Sequence, residues 1–298
     1  MDADLDVACH LNVLAPGVSS ARLPAALDTI AAAGYRRVVL PPLNPDAIDA
    51  AALRELFRVR GLTPITIAGQ APDADVSSPS GDVRAAGAAL LRRALDLTVA
   101  LGADQMNGVP YGVFGHPAGL TDGAAFERSA AEVGRVADES HDRGVLMTFE
   151  VLNRYETSVV NTAAQAMEYV SASGSEHLWI HLDTFHMAVE ETDASVAIRT
   201  ALPRLGYLEL GQSGRGALSA GAVDIGGIVR QALDDGYGGR WGVEAFSRST
   251  LDAAAADMLA IWRRPFDDGV ALAVDAARTI DTGWAASNVG RRVGTTDQ

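Results

Sequence analysis

The chain has 298 residues, 48% hydrophobic and 21% charged, a composition for one large α/β unit or two smaller domains. A formal charge of −14 repels a phosphate backbone, and the apolar runs are too short to span a bilayer, so the sequence offers neither nucleic acid nor membrane as a partner. All 24 basic residues are arginines, which rules out a lysine Schiff base and with it lysine-dependent aldolase and pyridoxal chemistry.

Acids at Asp2, Asp4 and Asp6 stand where an export signal would carry basic residues, which reads as a cytoplasmic chain. Apolar runs of β character then recur near residues 5–13, 36–41, 62–68, 103–109, 144–151, 178–183, 206–211 and 240–246. The first holds the lone cysteine, Cys9, which reads as a buried, inert thiol. Between the runs lie stretches with helical spacing, such as ARLPAALDTIAAAG and DVRAAGAALLRRALDLTVALG. Several end at a glycine able to close a helix in the left-handed conformation: Gly34, Gly61, Gly102 and Gly144.

Such alternation means parallel strands with helical crossovers, and eight strands close a barrel. An open doubly wound sheet gives the same rhythm, but its first turn binds a nucleotide; here that turn reads LAPGVSS, with neither GxGxxG nor a P-loop. The expected architecture is a single (β/α)8 TIM barrel over 1–288, followed by a flexible tail at 289–298.

Active groups of such a barrel sit at the C-terminal ends of its strands. The fifth run, VLMTF, ends at Glu150 and the sixth, LWIHL, at Asp183; GYLELG holds Glu209 and RWGVEAF holds Glu244. Either of the first two alone is as readily a helix cap or a surface acid. Four carboxylates on adjacent strands converge, and buried acids are costly unless something pairs with them, which points to a shared cation. An all-oxygen set suits Mn²⁺ or Mg²⁺, with Co²⁺ a further candidate. His186, three residues after Asp183, is a candidate substrate ligand, while His181 reads as a barrel-core residue. In GVPYGVFGHP, Tyr111 and Phe114 fit either core packing or one wall of a pocket, and Tyr111 is carried as a candidate substrate contact.

FEVLNRYE, LDTFHM and the GQSGRG loop after strand 7 resemble the ketose 3-epimerases, the D-tagatose and D-psicose 3-epimerase group of the xylose-isomerase-like barrels. The resemblance covers most of the chain, including DADVSSP, LGAD and the IWR at Ile261, Trp262 and Arg263. It implies that Glu150, Asp183 and Glu244 are metal ligands, that Glu150 and Glu244 are also the acid/base pair, and that Glu156, His186 and Arg215 hold the C1 to C3 end of a keto sugar. Two positions depart from the group. It carries a ligand histidine where this chain has Glu209, and glutamate where this chain has Gln212. Glu209 is expected to coordinate the metal in the histidine's place. The implied activity is a divalent-metal-dependent epimerisation at the carbon next to a keto-sugar carbonyl, in a homo-oligomer. Two alternatives remain open: a lyase cleaving 3-keto glycosides by β-elimination, within a hetero-complex, and a non-catalytic barrel that binds a sugar or a partner chain.

Overall fold

Eight parallel strands follow one another around a closed barrel in chain order, and the last pairs with the first. They are β1 (Val7–His10), β2 (Arg37–Val39), β3 (Thr63–Ala68), β4 (Gln105–Gly108), β5 (Leu146–Val151), β6 (Leu178–Asp183), β7 (Leu205–Gly211) and β8 (Arg240–Glu244). The computed structural model describes residues 4–296. Each strand coincides with one of the eight apolar runs to within about three residues at either end. The run at 5–13 is shortened most, because the chain leaves β1 at His10 and turns into a 3-10 helix, Leu11–Val13.

Barrel strands are buried on both faces, which is why these segments read as nearly continuous apolar runs. Alternation then sorts the residues of one strand. In β1, Val7 and Cys9 face the main core beneath the helices, while Ala8 points inward with Val39, Ile65 and Tyr207 to plug the barrel. Cys9 is fully buried and free, and burial pushes its thiol well above the ordinary range, in keeping with an inert role. All four glycines read as helix ends have positive φ, from 65° at Gly61 to 87° at Gly34.

The N-terminal end of the barrel is closed by ion pairs. Arg37 Nε donates to both oxygens of Asp6 at 2.8 Å, and Arg240 Nη2 lies 2.9 Å from Asp104 Oδ2, tying the starts of β1, β2, β4 and β8 together. That end is the stabilising one, leaving the other for chemistry. Among the described residues no helix is long and apolar enough to cross a membrane.

The tail reading needs correction. Within 289–298 the chain is helical, as part of Asn288–Thr296, and residues 297–298 lie outside the described part. Ser287 starts this helix by accepting from Gly290 N at 3.1 Å, and Asn288 N donates to Asp234 Oδ1 at 2.7 Å.

Candidate active site

Register decides which strand-end residues meet, because residues paired across parallel strands point the same way. Glu150 pairs with His181, Asp183 with Glu209, and Gly211 with Glu244. The pairing of Cys9 with Val243 puts His10 in the row of Glu244. Six titratable residues from five strands therefore meet at the C-terminal end of the barrel, with Asp183 0%, Glu209 1% and Glu244 6% exposed.

Asp183 serves two purposes. One oxygen, Oδ1, accepts from Phe185 N at 2.9 Å and caps the helix Thr184–Glu190, while Oδ2 faces the cluster. That helix carries His186, whose Nδ1 accepts from the backbone N of Asn153 at 3.2 Å. Nε2 thus carries the ring proton, 3.3 Å from Glu150 Oε1 and 3.6 Å from Asp183 Oδ2. Glu156 Oε2 is 3.8 Å from the same ring, and burial lifts its carboxyl above the ordinary range.

Arg215 enters from the loop after β7 in the left-handed region, with φ 56°, an unusual conformation for a residue bearing a Cβ. Its backbone N donates to Gln212 O at 2.7 Å, closing a tight turn that aims the side chain inward. The guanidinium stacks 3.6 Å from the centre of the Phe185 ring, lies 3.0 Å from Asp183 Oδ2 and donates to Glu244. Gly211 is what admits this arrangement: a Cβ there would sit 2.7 Å from Asp183 Oδ1 and 3.1 Å from Arg215 Nη1.

Beneath this layer lies Glu209. Its Oε1 hydrogen-bonds His10 Nε2 at 2.9 Å, and its Oε2 is 3.1 Å from His181 Nε2, though off the line of a hydrogen bond. Gly242 on β8 provides the space, since a Cβ there would lie 2.5 Å from Glu209 Oε1.

Burial favours the neutral form of every acid here, and the neighbours decide the outcome. Burial lifts Glu244 to about 8, with Arg215 opposing and Glu209 reinforcing. Burial also works against ionisation of Glu209, but His10 and then His181 hold it well below the usual range. Glu150 moves down because His181 and His186 outweigh its burial. For His10, burial opposes the charge, yet Glu209 and Glu244 raise it to about 9. In the metal-free protein Glu150 and Glu244 are thus pushed in opposite directions.

A cavity of about 550 Å³ opens above the cluster, within the range of small-molecule sites. Glu150, Glu156, His186, Arg215 and Glu244 line it, and Phe114, Tyr155, Phe246, Ile261 and Trp262 supply apolar wall. Tyr111 is a correction to the sequence reading. It is fully buried, its ring packs against Phe149 and Tyr169, and its hydroxyl donates to the Glu150 carbonyl at 2.9 Å, so it steadies β5 from behind and does not line the cavity. Phe114, from the same loop, does line it. His10 was not legible as a site residue, although the strand-end rule that picks Glu150 also picks the last residue of VACH.

The donor set suits a divalent cation. Among the described residues, Arg215 is the one guanidinium paired with any of the four acids, and it meets two of them, Asp183 and Glu244. Three groups of close ligand atoms occur: His10, Glu209 and Glu244; Glu150, His181 and Glu209; Glu150, Asp183 and His186.

The model of the xylose isomerase-like TIM barrel family matches residues 27–265. The chain belongs to this family. It is 34% identical to a ketose 3-epimerase of Arthrobacter globiformis over 91% of this chain and 94% of that one. To an L-ribulose 3-epimerase of Mesorhizobium japonicum it is 31% identical over 93% of each. The crystal structure of a D-allulose 3-epimerase from Methylomonas sp., in complex with D-allulose, superposes with a TM-score of 0.88 at 31% identity, covering 93% of this chain and 96% of that one.

Proposed function

We propose that the protein is a divalent-metal-dependent ketose 3-epimerase. The observation that carries the reading is that Glu150 and Glu244, from different strands, line one cavity with Asp183 buried between their strands. The family's 3-epimerases, and the D-allulose held by the Methylomonas relative, support a free keto sugar as substrate.

Glu150, Asp183 and Glu244 are the residues that would hold the cation, with Mn²⁺ favoured and Mg²⁺ or Co²⁺ also suited to an oxygen-rich set. When bound, it polarises the ketone and stabilises the enediolate that proton loss leaves on the sugar. One carboxylate of the Glu150 and Glu244 pair takes the proton from C3, and the other returns a proton to the opposite face of that carbon. In the reverse direction the two exchange roles, so one proton leaves and one enters in each turnover. Arg215 and the Nε2–H of His186 are donors for sugar oxygens, and Glu156 accepts from a hydroxyl. Phe185 and Phe246 line the cavity against the Arg215 guanidinium, an apolar wall that would limit water beside the reacting carbon.

Incubation with Mn²⁺ and a panel of ketoses and 3-keto glycosides in deuterated water tests this, with NMR following each carbon. The reading requires deuterium at C3 together with the C3 epimer and no departing fragment. Release of a fragment β to the ketone would make the protein a lyase, and no exchange with metal bound would remove the reaction altogether.

A further inference from the structure

Below the cavity floor, the group around Glu209 has no part in the proton transfers just described. His10, at the end of β1, is 4% exposed and is held edge-on to Phe246, with ring centres 6.0 Å apart and planes at 89°. Its two nitrogens face different acids. Nε2 makes the 2.9 Å hydrogen bond to Glu209, while Nδ1 lies 3.7 Å from Glu244 Oε1, too far for a hydrogen bond.

We propose that His10 is the nitrogen ligand of the divalent cation, through Nδ1, and that Glu209 is the outer carboxylate that orients the ring and not itself a ligand. The inference rests on the metal-dependent reading above and names a donor which that reading does not include. Three observations lead to it.

The first is the tautomer. An ionised Glu209 accepts, so in the neutral ring Nε2 carries the proton and Nδ1 presents its lone pair toward Glu244. A carboxylate on the far nitrogen is the usual partner of a metal-bound histidine, because it fixes the tautomer and raises the basicity of the other nitrogen. The second is spacing. Two donors on one ion, each bonded at about 2.1 Å with an angle of roughly 90–120°, stand about 3.0–3.6 Å apart, close to the 3.7 Å observed between Nδ1 and Glu244 Oε1. The third concerns Glu209 itself. Its two oxygens face His10 and His181, and the Tyr207 hydroxyl lies 3.4 Å from Oε1. Oε1 is thereby held by His10 with Tyr207 close by, and Oε2 stands beside His181 on β6.

Pulsed EPR of the Mn²⁺-loaded protein reads directly bound imidazole nitrogen, and growth on ¹⁵N-histidine identifies the signal as histidine. The wild type should show one such coupling, lost in His10→Ala and kept in His181→Asn and Glu209→Gln. Loss of an outer carboxylate should weaken Mn²⁺ about 10–100-fold in Glu209→Gln while the nitrogen coupling remains. If His10→Ala does not fold, retention of the coupling in both His181→Asn and His186→Asn assigns it to His10. A wild type that binds one Mn²⁺ with no imidazole coupling, or a coupling that survives His10→Ala or disappears in His181→Asn or His186→Asn, overturns the proposal. Failure of the wild type to bind any divalent ion sinks the metal-dependent reading as well, so the two failures are separable.

Discussion

Replacing Gly242 by alanine puts a methyl group into the space that Glu209 occupies. The added Cβ would stand 2.1 Å from the Tyr207 hydroxyl and 2.5 Å from Glu209 Oε1, both far inside van der Waals contact, and both side chains are buried in a close-packed interior. Overpacking of this kind costs about 1–3 kcal/mol. Pushing Glu209 off His10 adds the loss of a hydrogen bond to a charged group, about 1.5–3 kcal/mol. Together they predict a destabilisation of about 2.5–6 kcal/mol, or a fall in Tm of at least about 5 °C at the low end for a domain of this size. Gly238→Ala is the control, since nothing lies within 4 Å of a Cβ there. Thermal unfolding of both variants, followed by Mn²⁺ titration of the folded proteins, makes the comparison. Gly242→Ala should lose Tm and at least about 10-fold in Mn²⁺ affinity, the scale for disturbing the carboxylate behind a ligand histidine. Equal Tm and equal affinity in the two variants would refute the packing argument and the role given to the Glu209 niche.

Glu150→Gln and Glu244→Gln should each lower kcat by at least about 10²-fold in steady-state assays, the scale for losing a general acid or base; near wild-type turnover in either would remove it from that role. Arg215→Ala should raise KM more than it lowers kcat, because a donor to sugar oxygens acts in the ground and transition states alike; an unchanged KM with a lowered Tm would make Arg215 structural. In metal-free protein His10 rises from 6.5 to about 9 and Glu244 from 4.5 to about 8, so both bind protons more tightly folded than unfolded. Their contribution is full below the unfolded values and is lost as pH rises through the folded ones, so the metal-free Tm should fall between pH 6.5 and 8, where the two windows overlap; a rising Tm there would contradict it.

The barrel was legible because parallel strands are apolar on both faces and each is followed by a helix. Glu150 and Asp183 were legible for a related reason, since an acid closing an apolar run is conspicuous. His10 escaped because a histidine in such a run reads as core, and its meaning depends on Glu209, 199 residues away, which only closure of β8 onto β1 brings near. The departure at Glu209 was visible as a missing nitrogen donor, whereas its pairing with His10 on β1 and His181 on β6 was not. Tyr111 and Phe114 lie three residues apart in one loop, and no periodicity in an irregular loop tells which faces the cavity. The polar residues after Ser287 suggested a tail, because the cap that Ser287 provides to Gly290 N is seen only in the structure.

In the proposed reaction Glu150 and Glu244 serve opposite faces of one carbon. Exchange of the C3 proton with deuterated water, measured separately from each of two C3-epimeric ketoses with Mn²⁺ bound, tests it most directly in Glu150→Gln and Glu244→Gln. Two bases predict that neither variant interconverts the epimers, that each still washes deuterium into one epimer with its configuration retained, and that the two variants do so with opposite epimers. Continued inversion in either variant, or exchange from the same epimer in both, would contradict the account.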